Sequence, residues 1–349
     1  MAPRRLRGAH RLGDLLPRQV LGRARPRAPA RPVGADADAR AHPHRLRRPE
    51  PARARRRARL SRARGSPGAP LATGVVGFHL RVEVLLPLLT LAALYGAGWL
   101  RLAHRSPRIE WSAIARLGLA CGGLVTIALA LLSPLDALAH RRFSAHMAQH
   151  MLLTMVAAPA LLLADPFPMV LWGLPARARA SAATLFATDA RVRRVWRFLT
   201  RMPIAWLVYA LTMWLWHLPP AYDAAFADPL LHDVQHVTFL LSAVLFWWPV
   251  IDPAPRGSDA LHPGWRIAYL VLAAFQGSAL GLLLALSPSV LYASYAFGPA
   301  APGTTALEDQ AWGGVVMWAA GGAVEMAAVL ILVFRFLVQE ERAEFRPFP

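Results

Sequence analysis

The sequence predicts an all-α integral membrane protein of about seven transmembrane helices, and three observations carry that expectation. Apolar residues fill 56% of the 349 positions and mean hydropathy is +0.35, above the about 45–50% apolar content of soluble domains. Seven segments approach the roughly 20 apolar residues that a bilayer core about 30 Å thick demands of a helix. The formal charge of +19 is concentrated rather than spread, since 20 of the 39 basic residues precede position 65.

That N-terminal block, residues 1–75, is rich in Arg, Ala and Pro. It has no apolar run to bury and no helical or strand periodicity, so it is expected to be disordered. It lacks the apolar core of a signal peptide. A nucleic-acid-binding arm is compatible with its charge alone, but nucleic acid is not the expected partner.

The seven segments fall at 82–101, 113–133, 146–164, 203–218, 232–251, 266–287 and 311–336, within a membrane domain spanning 76–340. The third is interrupted by Pro159 and the fourth is short. A further apolar stretch, Phe167 to Leu174, is too short to cross and is expected at the interface.

Orientation follows from arginine in the short loops. Arg177, Arg179, Arg191, Arg193, Arg194, Arg197 and Arg201 lie between segments three and four, and Arg101, Arg105 and Arg108 follow segment one. With Arg256, Arg335, Arg342 and Arg346 they share one side if there are seven crossings, against only Arg141 and Arg142 in the opposite loops. The C-terminal tail, 341–349, is therefore expected in the cytoplasm. The arginine block would then lie outside, against the same rule, so over-extended translation with a start near Val75 or Val76 is the favoured explanation.

The chain has one cysteine, Cys121, and no lysine. There is no disulfide framework and no cysteine metal motif, and retinal or other Schiff-base chemistry is excluded. Histidine carries the distinctive signal. His146 and His150 open the third segment in HMAQHM, His232 and His236 open the fifth in HDVQH, and His217 closes the fourth in WLWHLPPAYD. A spacing of four puts both imidazoles of a pair on one helical face, about 6 Å apart in rise. The topology brings all five to one membrane face, near the surface.

One such histidine would read as an interfacial residue; two pairs and a fifth point to a transition-metal site. Imidazole suits copper, zinc, iron and nickel, and thioether sulfur favours Cu(I). Met147, Met151, Met155, Met213 and Met317 lie nearby in sequence, although gap-filling is the commoner role of methionine. Asp223, Asp228, Asp233, Glu308 and Asp309 either orient imidazole N–H groups or are solvated surface. Gly277, Gly281, Gly313, Gly314, Gly321 and Gly322 form small-residue patches suited to close helix packing. Glu325 lies inside the seventh segment, where a charge is costly, so it is neutral, paired or part of a proton or ion path, with pairing to a polar neighbour such as Gln276 the simplest expectation.

Four strings together, RRFSAHMAQHMLLTMVAAPALLL, WLWHLPPAYDAAF, LHDVQHVTFLLSAVLFWWPVID and LEDQAWGGVVMWAAGG, resemble the multi-spanning CtaG family of bacterial cytochrome c oxidase assembly factors. The likeness runs from about Leu85 to Leu337. It implies a non-enzymatic role at the bacterial plasma membrane, maturing a haem-copper oxidase by binding and delivering copper on the extracytoplasmic side. The implied partners are oxidase subunits and a copper donor protein. The implied ligands are His146, His150, His217, His232 and His236, with Asp223 and Asp309 in support. Three rivals stand beside it: a membrane metalloenzyme of di-iron oxygenase type, suggested by the HxxxH pairs, a haem-b binding bundle, and a structural scaffold that only holds oxidase subunits during assembly. The first lacks the expected HxxHH boxes, and a two-haem version of the second lacks histidines at both membrane levels.

Overall fold

The computed structural model describes residues 81–105, 110–187, 190–254, 262–296 and 303–344. Regular structure among the described residues is helical, without strands. The disorder expected for residues 1–75 lies outside them, as does most of the 341–349 tail.

In chain order the helices are α1 (Val82–Ala103), α2 (Trp111–Leu132), α3 (Pro134–Ala139), α4 (Phe143–Met151), α5 (Ala158–Leu163), α6 (Pro166–Gly173), α7 (Ala176–Leu185), α8 (Arg191–Leu199), α9 (Met202–Trp216), α10 (Pro219–Ala227), α11 (Pro229–Ile251), α12 (Pro263–Ala285), α13 (Ala293–Ala296) and α14 (Ala306–Glu344). Six are long and apolar enough to cross a bilayer when Phe143–Leu163 counts as one, and α8 with α9, bent by 68°, makes up to seven. The protein is an all-α membrane protein. Large apolar side chains such as Leu86, Val125, Phe275 and Phe334 are exposed along the spans, as lipid-facing surfaces require.

The expected fourth segment is more complicated than the sequence indicated. At 15 residues, α9 is about 22 Å long and short of a full crossing. Its partner α8 turns away from it through Thr200 and Arg201, and Pro203 at the start of α9 prevents one continuous helix.

The interruption of the third span also differs from expectation. It lies not at Pro159 itself but in a π turn, Leu152–Ala157, that joins α4 to α5. Here the Ala158 N–H bonds to the Leu153 carbonyl, five residues back. In that register the Thr154 carbonyl would require the N–H of residue 159, which proline lacks. Trp247 of α11 supplies the missing donor, its Nε1 lying 3.0 Å from the Thr154 oxygen. The wide turn, the proline and the tryptophan thus form one device directly below His150.

Elsewhere, α6 packs against α1 at the level of Gly98 and Gly173, and α12 packs against α14 at Gly281 and Gly314. A Cβ on Gly314 would come within 2.4 Å of the Gly281 carbonyl oxygen. By contrast, Gly277 and Gly322 face open space, so only part of the expected glycine patches mediates close helix contact. The arginine-bearing helices α7 and α8 connect the ends of α5 and α9 that lie away from the histidines.

Candidate metal centre

The starts of α4, α11 and α14 and the ends of α9 and α12 meet at one end of the bundle. Sequence chemistry fixes each of them. Asp228 caps α11, accepting from the N–H groups of Leu230 (2.8 Å) and Leu231 (3.2 Å). Pro219 and Pro220 stop α9 and begin α10, leaving His217 at the turn between them.

Asp309 at the start of α14 reaches across to α4. It accepts from the Phe143 N–H at 2.6 Å and from the Ser144 hydroxyl at 2.5 Å. Asp223 treats α13 the same way, accepting from the Ser294 N–H at 3.0 Å and its hydroxyl at 2.5 Å. These carboxylates therefore cap neighbouring helices, one carrying His146 and His150, the other Tyr295. The remaining acids are engaged elsewhere: Asp233 pairs with Arg81 and Glu308 caps its own helix through Thr305. Among the described residues none of the five accepts from an imidazole, contrary to one of the two roles expected for them.

All five sequence-identified histidines come together. Ring centroids are 4.4 Å apart for His146 and His150, 4.4 Å for His232 and His236, 5.1 Å for His146 and His232, 5.3 Å for His150 and His236, and 6.2 Å for His150 and His217. His146, His232 and His236 each present a ring nitrogen within 4.8 Å of the others. The cluster is enclosed rather than shallow, since every ring is at most 7% exposed.

Hydrogen bonds assign the tautomers of two rings. His217 Nδ1 lies 2.7 Å from the Met213 carbonyl, so Nδ1 donates and Nε2 keeps its lone pair. That Nε2 faces Met147 Sδ at 3.4 Å. His146 Nδ1 lies 2.5 Å from the Tyr222 hydroxyl, which donates to the Tyr295 hydroxyl at 3.4 Å, which donates to the Ala139 carbonyl at 2.7 Å. A chain ending on a carbonyl makes His146 Nδ1 the donor at its other end. His146 Nε2 is then unprotonated, an acceptor 3.3 Å from His232 Nε2. Burial pushes the Tyr222 and Tyr295 phenols above their ordinary range, so both keep the protons this chain needs.

The donor set fits a metal. Two imidazole nitrogens bound tetrahedrally at about 2.0–2.1 Å lie about 3.3–3.4 Å apart, matching the His146–His232 separation. Both ring nitrogens of His150 and of His236 are buried without a hydrogen-bond partner, as are both polar atoms of the Gln235 side chain. Buried polar atoms left this way are costly unless a ligand or water engages them.

Several participants were missed in the sequence. Tyr222 and Tyr295 act through hydrogen bonds from neighbouring helices, which no local spacing announces. Exposed His140 places its ring 5.2 Å from that of His232. Gln149, fully buried, donates to the Ala130 carbonyl at 2.7 Å and to Asp136 at 3.0 Å. A signal for the glutamines was present, since HMAQH and HDVQH share Gln three residues after the first histidine.

Glu325 is buried, but Gln276 does not pair with it. The Gln276 carbonyl oxygen accepts instead from Trp214 Nε1 at 3.0 Å, correcting the expected pairing.

Comparison with known proteins decides the family. Residues 93–339 match the model of the cytochrome c oxidase caa3 assembly factor (Caa3_CtaG) family. The chain belongs to this family. The Caa3_CtaG match contains all five histidines and the capping aspartates Asp223, Asp228 and Asp309, and starts inside α1. Proteins named only as uncharacterized in Mycobacterium bovis and Mycobacterium tuberculosis are each 26% identical over 261 residues, covering 73% of this chain and 39% of theirs. One from Mycobacterium leprae is 25% identical over 210 residues, covering 58% of this chain and 31% of its own. The chain thus spans about two fifths or less of the length of these curated relatives. No solved structure matches it.

Proposed function

We propose that this family member binds copper as cargo at the histidine cluster and passes it to a subunit of a haem-copper oxidase on the extracytoplasmic side of the bacterial plasma membrane. The observation that carries the reading is the convergence of His146, His232 and His236, with His150 and His217 beside them, into an enclosed group with unprotonated or unpartnered nitrogens. Arginines concentrated in the loops at the far end of the bundle support the sidedness, by the enrichment of positive charge in cytoplasmic loops; on this reading the C-terminus is cytoplasmic.

Transfer on this reading breaks and forms only metal–ligand bonds, so the chain acts as a carrier and not an enzyme. The ligands of a docked oxidase subunit replace the imidazoles one at a time, and a copper donor protein loads the site by the reverse exchange. His140, exposed and beside His232, stands where an ion would arrive or leave.

Replacing His146 and His150 together by Ala should leave the protein in the membrane and yield oxidase depleted of copper. Membrane level is read by immunoblot and copper by elemental analysis of the purified oxidase. Full copper content in oxidase from that strain sinks the proposal.

A further inference from the structure

Directly beneath the histidines lies a small, partly open cavity of about 10 Å³, roughly the space of one water or one bare ion. Its lining includes Met151, Met155, Met213 and Met317, with Glu325 and Tyr209. The four methionines come from α4, the π turn, α9 and α14 and are all buried.

Methionine usually fills gaps because it is flexible, yet here four surround a gap that they leave unfilled. Glu325 adds a second oddity. A carboxylate well inside a membrane helix is expensive and ordinarily finds a partner; among the described residues it has no hydrogen bond, and the nearby Tyr209 hydroxyl also lacks one.

We propose that this cavity is a second metal site, for the soft monovalent cation Cu(I), with thioether donors from Met151, Met155, Met213 and Met317 and with the Glu325 carboxylate balancing its charge. Thioether sulfur selects Cu(I) over harder ions. Being neutral, thioethers leave the full charge of the ion uncompensated in a low-dielectric interior, and Glu325 is the acidic residue of the lining. The cavity also connects to the cluster above. Met147 Sδ touches His217 Nε2 at 3.4 Å, and Met147, Met151 and Met155 follow at intervals of four along the same span. The site goes beyond the proposed histidine function and does not depend on it.

The test is anaerobic titration of the full chain in detergent with Cu(I) against a chromophoric chelator, with X-ray absorption of the bound copper. The parent is expected to bind two equivalents, one with sulfur neighbours. Met151→Leu/Met213→Leu/Met317→Leu, which conserves volume, should bind one fewer and lose the sulfur shell, while His232→Ala/His236→Ala should keep that shell. If the histidine reading fails and this one holds, the parent binds a single sulfur-ligated ion that the leucine variant loses. Unchanged stoichiometry in the leucine variant, or no sulfur around copper in the parent, overturns the second site.

Discussion

Tyr222→Phe is expected to weaken copper binding at the histidine cluster by about 10- to 100-fold, the usual cost of removing a group that orients a metal-bound histidine. The Tyr222 hydroxyl is the 2.5 Å partner of His146 Nδ1, and its removal leaves Tyr295, 3.3 Å away, as the remaining partner of that nitrogen. His146 can then place its proton on Nε2, the atom facing His232, where it competes with the metal. The phenylalanine ring retains the packing of Tyr222 against Tyr292 and Phe143, so thermal stability should change little. Tyr292→Phe is the matched control, since the Tyr292 hydroxyl donates to the His217 carbonyl rather than to a ring nitrogen. Chelator competition on the purified proteins measures both. Equal affinities for Tyr222→Phe and the parent would remove the tyrosine chain from the account.

The second large effect is structural. Alanine at Gly98 would put its Cβ 1.8 Å from the Met169 carbonyl oxygen, and alanine at Gly173 would put its Cβ 2.0 Å from that of Leu94. These are backbone atoms, so no rotamer change relieves the clash and α6 must move away from α1. That movement also strains the cap on α6, where Arg101 Nη1 lies 2.6, 3.1 and 2.8 Å from the carbonyl oxygens of Trp172, Gly173 and Leu174. Overpacking alone costs about 1–3 kcal/mol and occasionally more, so each variant should unfold at a clearly lower temperature in detergent. Gly96→Ala, whose Cβ would meet nothing within 4 Å, should instead hold or gain stability, as Ala is favoured over Gly in a helix by about 1 kcal/mol. Thermal unfolding followed by tryptophan fluorescence distinguishes them, and equal midpoints for Gly96→Ala and Gly98→Ala would refute the contact.

What was legible in the sequence was whatever depends on spacing within one helix. The apolar runs gave the spans, and HxxxH placed each histidine pair on one face. The alternation of helix direction then brought His217 to the same end as the two pairs. Relations between helices were not legible. The aspartates Asp223 and Asp309 read as groups near a metal, yet they cap other helices, because a carboxylate's choice between an imidazole and a free N–H is made by tertiary packing. The chain from His146 through Tyr222 and Tyr295 spans three elements and leaves no local pattern. Pro159 announced an irregularity but not its form, since the π turn requires Trp247, 88 positions later in the chain, to take up the orphaned carbonyl. The methionines show the same limit: their number was visible, and the unfilled space between them was not.

Copper carriage by this protein requires imidazoles from different spans to grip one ion. Pulsed EPR of the purified full chain loaded with one equivalent of Cu(II) counts the coordinated imidazoles through their remote nitrogens. The expected spectrum contains combination lines from more than one imidazole, reduced both by His146→Ala/His150→Ala and by His232→Ala/His236→Ala. A multi-imidazole pattern that survives unchanged when the α11 pair is replaced would contradict it.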